Sequence, residues 1–355
     1  MRRAHWCDEF AALTFGSISH DTLEAVAAAL AEPMVIEGRV IAISASIGLA
    51  MTTGSATSLT ELMQQADFAM LWAKARRAGI RVFDVTLEHE LKYDLRREAE
   101  IREAIPLGQF IPFYQPLVDL DTGRTIGWEV LMRWDHPTRG IVAPAEFIDV
   151  AEATGLIDEM FWPMLTTACR ATRGHTDGSF IAVNVTLRQI MDVRFAARLS
   201  DVLKQTDFAP QRLEIEITER EHVHEIDRLA AGLQALGSLG VRIALDDFGT
   251  GSANLTLLSA LPIHKLKIDR SFISNIEHDE QNRRIVTSIV GLARSMDLIC
   301  TAEGIESEAV AQRLRDLGCH QGQGYFFGRP SLHHDLRADG KLAAEPNRGL
   351  RAAVG

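Results

Sequence analysis

The stretch "IALDDFGTGSANL", residues 243–255, ends an apolar run in two adjacent aspartates and a Gly-Thr-Gly turn. Asp246 and Asp247 repel each other and gain nothing from a folded core. A solvated turn would tolerate them, because Asp and Gly both favour turns. A divalent cation would do more, since it removes the repulsion and rewards oxygen ligands. Other groups of the same chemistry recur downstream and upstream. Asn184 lies in "FIAVNVT", Glu216 in "RLEIEIT", Lys267 in "HKLKIDR" and Glu303 in "DLICTAEG", each towards the end of its own run. Glu129, in "GWEVLMRW", belongs to an earlier run and can join them. Carboxylates and an amide converging from separate strands would be destabilising without a cation. Ligation by oxygen alone selects Mg²⁺ or Mn²⁺ over zinc or copper. Two adjacent aspartates can hold two such ions roughly 4 Å apart, the arrangement that clamps phosphoryl transfer and hydrolysis.

Convergence requires elements that aim these side chains at one place. Residues two apart in a strand share a face. In "LEIEIT", Leu213, Ile215 and Ile217 oppose Glu214, Glu216 and Thr218; in "KLKIDR", Leu266 and Ile268 oppose Lys265, Lys267 and Asp269. The apolar parity suits packing against outer helices, so the polar parity points inward. From about Phe110, short apolar runs alternate with helix-like segments such as "VHEIDRLAAGLQALGSLG". That alternation predicts a parallel sheet, and about eight strands in roughly 230 residues predict a closed TIM-like (β/α)8 barrel. Polar groups at strand ends then gather at the C-terminal mouth.

The flanking regions follow a different rhythm. Residues 1–84 hold an alternating run, "VIAISASIGLA", and a helical one in which Leu59, Leu62, Met63, Ala66, Ala69, Met70 and Ala73 recur. That spacing places Leu62, Met63 and Met70 in a core. A charged helix over residues 85–109 links this part to a barrel over residues 110–332, and residues 333–355 form a mobile tail.

With 355 residues the chain is long enough for two domains. Its net charge of −11 argues against a polymeric nucleic acid as partner. Cys7, Cys169, Cys300 and Cys319 form no Cys-x-x-Cys pair, which fits a reducing compartment. No apolar run approaches the ~20 residues of a membrane span, and no signal peptide is evident, so a cytoplasmic protein is expected.

Seven segments, "YQPLVDLDTGRTIGWEVLMRW", "VNVT", "EITE", "DDFGTG", "LKIDRSFI", "TAEGIE" and "GQGYFFGRP", resemble in order the EAL-domain phosphodiesterases of bacterial signalling. The resemblance covers residues 110–330. It implies a TIM-like barrel that hydrolyses cyclic di-GMP to linear pGpG with two divalent cations. Matched motif to motif, Glu129, Asn184, Glu216 and Asp246 would hold the first ion. Asp246 would bridge to the second, completed by Asp247, with Glu303 bound directly or through water. Lys267 would orient or help deprotonate the attacking water. Gln115, Leu131, Arg133 and Gln323 would contact the dinucleotide, and Glu219 would brace the loop after the paired aspartates. Two departures are visible. The signature tripeptide reads Glu-Val-Leu, with Val130 at its centre, and Ser252, Ala253 and Asn254 stand where the family has an aromatic residue and two serines.

The N-terminal part resembles the second half of a GGDEF domain through "ASIGLA" and "ADFAMLWAKARRAGIRVFD". Its signature reads "WCDEF", so Trp6 and Cys7 replace the two glycines whose turn approaches a triphosphate. A truncated, degenerate remnant without cyclase activity is expected, or else a start internal to a longer gene product. The edge that such a remnant leaves open predicts a homodimer. Two rivals are a receptor that binds cyclic di-GMP without turning it over, and another metal-dependent barrel enzyme. The first would be expected to have lost a metal ligand or the lysine; the second is disfavoured by seven segments in order. The histidines share no ligand spacing and are read as surface or loop groups.

Overall fold

The computed structural model describes residues 10–14, 16, 20–32, 34–36, 39–41, 45–52, 58–76, 79–175, 178–218, 226–250, 258 and 261–332. Residues 6–9 of the "WCDEF" signature, Glu219, the segment Ser252, Ala253 and Asn254, and the tail from residue 333 lie outside that set. The chain divides into two units, residues 1–103 with 147–156, and residues 104–146 with 157–355.

In the first unit, β1 (Met34–Ile36) pairs antiparallel with β2 (Arg39–Ile41), and β3 (Ile47–Leu49) pairs parallel with β4 (Ile80–Val82). The helix Leu59–Arg76 opens on a capping box, in which the Ser58 backbone NH donates to Glu61 and the Glu61 backbone NH donates to Ser58 Oγ. This helix lies so close to β3 that a Cβ on Gly48 would stand 2.0 Å from the Ala66 carbonyl oxygen. Close approach selects small residues, and the helix buries Ala69 and Ala73 completely. Met63, expected in the core, is instead 53% exposed, because the alanine face occupies the packed side. Asp84 caps the charged helix Val85–Ala104, accepting from the Thr86 and Leu87 backbone NH groups.

The second unit is a closed barrel. Its ring runs β5 (Phe110–Asp119), β13 (Gln321–Gln323), β12 (Ile299–Ala302), β11 (Lys265–Ile268), β10 (Arg242–Phe248), β9 (Leu213–Thr218), β8 (Phe180–Asn184), β6 (Thr125–His136), and back to β5. A short β7 (Gly140–Val142) extends from the end of β6. Seven strands of the ring run parallel, but β5 is antiparallel to both neighbours, β6 and β13. The reason lies in the connection. Only residues 120–124 join β5 to β6, too few for a crossover, so a hairpin is forced. Its turn is built from Asp119, which accepts from the Thr122 backbone NH, and Gly123 at φ +68°.

Helices such as Ile157–Thr172, Phe195–Thr206, Ile226–Ser238 and Glu280–Ser295 bury one apolar stripe each, for example Leu229, Leu233 and Leu236. The strands turn one apolar parity outward, as Leu213, Ile215 and Ile217 do on β9, and keep the charged parity inside the ring. Inside the ring, Leu117, Phe180 and Ala182 form an apolar floor.

Candidate active site

Strand register brings the polar residues to one level. Glu129 on β6 stands opposite Gln115 on β5, and Asn184 on β8 aligns with Glu216 on β9. Asp246 on β10 aligns with Thr218, and Lys267 on β11 with Thr301 on β12. Glu303 follows the last residue of β12.

Asp246 and Asp247 pose a geometric problem, because successive strand residues face opposite sides. The structure solves it with a bulge. Between β10 and β11 the register runs Ala244 to Lys265 and Leu245 to Leu266, then resumes at Phe248 to Ile268. Two aspartates therefore oppose the single Lys267. Asp247 takes φ +55°, the left-handed region that Asp tolerates better than most residues, and its NH donates to Asp246 Oδ1 at 2.9 Å. The extra residue re-aims a side chain. As a result one carboxylate oxygen each from Asp246, Asp247 and Glu303 lies within 4.8 Å of the others.

Lys267 Nζ sits among these acids, 2.6 Å from Glu303 Oε1, 2.9 Å from Glu216 Oε2 and 3.3 Å from Asp246 Oδ1. On the other side of the pocket, Asn184 Nδ2 donates to Glu129 Oε1 at 2.7 Å, and Gln323 Nε2 to Glu129 Oε2 at 2.6 Å. Gln323 Nε2 also reaches Gln115 Oε1 at 3.1 Å, and Gln115 Nε2 donates to the Gly328 carbonyl at 3.3 Å. Of the expected site residues, Glu129, Asn184, Gln115 and Gln323 thus form one bonded chain, and Asp246, Asp247, Glu303, Glu216 and Lys267 one charge cluster. Leu131 and Arg133 share the face of Glu129 on β6. The Arg133 guanidinium lies 5.8 Å from the Phe113 ring centre. Glu219 lies outside the described residues.

Burial dominates the electrostatics. It raises Glu303 to about 8 against the pull of Lys267, and it holds Glu216 well above the usual carboxylate range. Burial also opposes ionisation of Glu129, but Lys267 and the donors Gln323 and Asn184 outweigh it, so this acid stays below its ordinary value. For Lys267 burial favours the neutral amine; Asp246, Glu216, Glu303 and Glu129 together overcome it and raise it far above the ordinary lysine value. One ammonium cannot satisfy this many acids. Glu216 Oε1 is buried with no hydrogen-bond partner, and Oε2 has only the ion pair with Lys267. An unsatisfied buried carboxylate oxygen beside three converging acids, with oxygen as the only donor element, fits a hard divalent cation.

One buried pair escaped the site reading. Lys265 Nζ lies 2.6 Å from Glu214 Oε1, both 1% exposed, one layer beneath Lys267 and Glu216. The same ammonium stands 4.5 Å from the Phe180 ring centre. The signal was present in the inward parity of Glu214 and Lys265, two residues before Glu216 and Lys267.

Comparison with known proteins bears on this geometry. The model of the EAL domain family matches residues 98–330. The bifunctional diguanylate cyclase/cyclic di-GMP phosphodiesterase MucR of Pseudomonas aeruginosa is 37% identical over 315 residues, covering 87% of this chain and 46% of MucR. The cyclic di-GMP phosphodiesterase NbdA of the same organism is 34% identical over 358 residues, covering 98% of this chain and 46% of NbdA. The chain therefore spans about half the length of these relatives. Among solved structures, the MucR phosphodiesterase in complex with c-di-GMP superposes with a TM-score of 0.65 at 36% identity, covering 68% of this chain and all of that one. The EAL enzyme Bd1971, bound to cAMP and cyclic di-GMP, gives a TM-score of 0.67 at 31% identity, covering 79% of this chain and 75% of that one.

Proposed function

The chain belongs to the EAL-domain family, and we propose that it is a metal-dependent phosphodiesterase that hydrolyses cyclic di-GMP to linear pGpG. The observation that carries this reading is the convergence of Asp246, Asp247 and Glu303 around Lys267 at the barrel mouth. The names of MucR and NbdA support the substrate.

In this reading Glu129, Asn184, Glu216 and Asp246 would hold one Mg²⁺ or Mn²⁺, and Asp246 and Asp247 a second, with Glu303 bound to it directly or through water. Asn184 would ligate through Oδ1, the other end of an amide whose Nδ2 meets Glu129. When bound, such a pair activates water near neutral pH and screens the phosphate from the acids. Lys267 orients the attacking water and holds its charge in place. Gln115 and Gln323 position Glu129 and line the path of the dinucleotide, with Leu131 and Arg133 on the same wall. Val130, on the opposite parity of β6 from the ligand Glu129, is buried away from the pocket.

For the N-terminal unit the reading is a degenerate GGDEF-like unit that makes no cyclic di-GMP from GTP, since Trp6 and Cys7 stand where the glycine turn would be. Leu59, Met63 and Leu71 are exposed on the helix Leu59–Arg76, and a second copy covering them makes the chain a homodimer. Light scattering at micromolar concentration tests this: a monomer refutes it.

Incubating the purified protein with cyclic di-GMP and Mg²⁺, and separating the products, tests the central reading. Linear pGpG that disappears on chelation is expected. Binding without turnover would instead make the chain a receptor.

A further inference from the structure

Beyond the residues used above, the segment after β13 carries an arginine, Arg329, that meets an aromatic ring but no hydrogen-bond acceptor among the described residues. The segment after β13 turns tightly, with the Phe327 and Gly328 NH groups both donating to the Gly324 carbonyl. It is pressed against Ile305: a Cβ on Gly324 would stand 2.1 Å from the Ile305 carbonyl oxygen, and the Phe326 NH donates to that oxygen. Gly328 is tied to Gln115, and Ser331 is tied to Tyr114 by two backbone hydrogen bonds. Arg329 is thus carried between two fixed points. Its guanidinium carbon stands 4.1 Å from the Tyr325 ring centre, while Tyr325 as a residue stays 53% exposed. Tyr325 also lies near enough to Arg133 to act on its charge. Among the described residues Arg329 has no hydrogen bond or ion pair, so its five donors are open in a protein of net charge −11.

We propose that Arg329, held by Tyr325, reads the Hoogsteen edge of one guanine of the dinucleotide, donating to O6 and N7. The inference rests on the cyclic di-GMP reading. The guanidinium is a planar fork whose two parallel donors match that pair of acceptors, which neither adenine nor a pyrimidine offers. Tyr325 uses the face of the guanidinium and leaves its donor edge free. The exposed part of the ring is available for a base to stack beside it. The phosphates, by contrast, would be drawn to the cations that the acid cluster around Lys267 would hold. Arg329 therefore sets which base is accepted and takes no part in bond cleavage.

The full chain with Mn²⁺ is assayed against cyclic di-GMP, its 7-deazaguanine analogue and bis(p-nitrophenyl) phosphate, which carries no base. R329A should raise KM for cyclic di-GMP about tenfold or more, the scale of one bidentate base contact, with kcat held. Hydrolysis of bis(p-nitrophenyl) phosphate should not change, which also reports that the variant is folded. The 7-deaza analogue should cost the wild type several-fold in KM and R329A nothing. R329K should not rescue, because an ammonium is a point charge rather than a fork. Rescue by R329K, or an equal 7-deaza penalty in both proteins, would overturn the inference in favour of a phosphate contact. An unchanged KM in R329A would overturn it outright. Should the wild type cleave only bis(p-nitrophenyl) phosphate, the substrate reading fails, and calorimetric binding of cyclic di-GMP to wild type and R329A then decides the Arg329 contact on its own.

Discussion

Lys267 Nζ lies 2.6 Å from Glu303 Oε1, so the one fully buried ammonium of the cluster bridges the acids of β9 and β10 to the acid that follows β12. Its removal should act on chemistry and on stability separately. Lys267→Ala is expected to lower kcat by about 10²–10⁴-fold while nucleotide affinity holds, the range for a lost group that moves or positions a proton. Without metal, the variant leaves buried acids uncompensated and should lose on the order of 3–5 kcal/mol. Added Mn²⁺ should return much of that loss, because the cation supplies the missing charge. Stopped-flow kinetics and melting with and without Mn²⁺ check both; parallel loss of affinity and rate would make Lys267 a phosphate-binding group.

Asp247 carries two separable duties, a ligand and a backbone corner. Its φ of +55° is a conformation that Asn adopts readily and a β-branched residue does not. Asp247→Asn should abolish most turnover with a change in melting temperature of a degree or two. Asp247→Val should abolish turnover and cost about 1–3 kcal/mol besides, from the strained corner. Equal melting temperatures for the two variants would remove the bulge from the explanation.

The acids themselves set a pH dependence. Glu303 keeps its proton to about 8 in the folded chain, against an ordinary 4.5, because burial disfavours its charge. Between those values the folded state binds the proton that the unfolded chain has released, so rising pH favours unfolding. Glu216 is displaced in the same direction. Glu129 is displaced downward, so its contribution is present above the ordinary carboxylate range and is lost only as pH falls. Lys267, raised above 10.5, contributes fully throughout this window. The metal-free protein should therefore melt at progressively lower temperature from pH 5 to pH 8. With Mn²⁺ the slope should flatten, and calorimetry in two buffers of different ionisation enthalpy at pH 7 should report protons released on binding. A metal-free melting temperature that rises across that range would contradict the charge arrangement.

Parity and run ends located Glu216, Lys267, Asn184 and Glu303, because a barrel strand converts a two-residue rhythm directly into inside and outside. That same rule fails at Asp246 and Asp247, which a regular strand would send to opposite faces. The bulge is a property of β10 against β11, and pairing between distant segments leaves no trace in either segment alone. The antiparallel β5 was legible in "DTGRT", a turn too short for a crossover, yet the expectation of a parallel sheet passed over this one strand. Met63 was misplaced for a related reason. Helical spacing marks an apolar face, but Gly48 decides that the alanine side of that helix is the one brought close.

The layer beneath the cluster gives the last prediction. Lys265 and Glu214 are both 1% exposed and 2.6 Å apart, and burial pulls the Lys265 ammonium towards neutrality against the attraction of Glu214. A pair of this kind gains little over apolar residues of the same volume, whereas half of it is costly, because one charge is left buried alone. Lys265→Met should therefore destabilise by about 3–5 kcal/mol, and Glu214→Leu by a similar amount. The double variant should lie far above the sum of the two, near the wild type in urea midpoint, since the apolar floor of Leu117, Phe180 and Ala182 receives the new side chains. Phe180 moderates the expectation in one respect: its ring faces the Lys265 ammonium at 4.5 Å, and that attraction is lost in either lysine variant. Equilibrium unfolding of the four proteins without metal measures the coupling. Additive losses would mean that the two charges are satisfied independently, and the pair would then carry no specificity for the floor of the barrel.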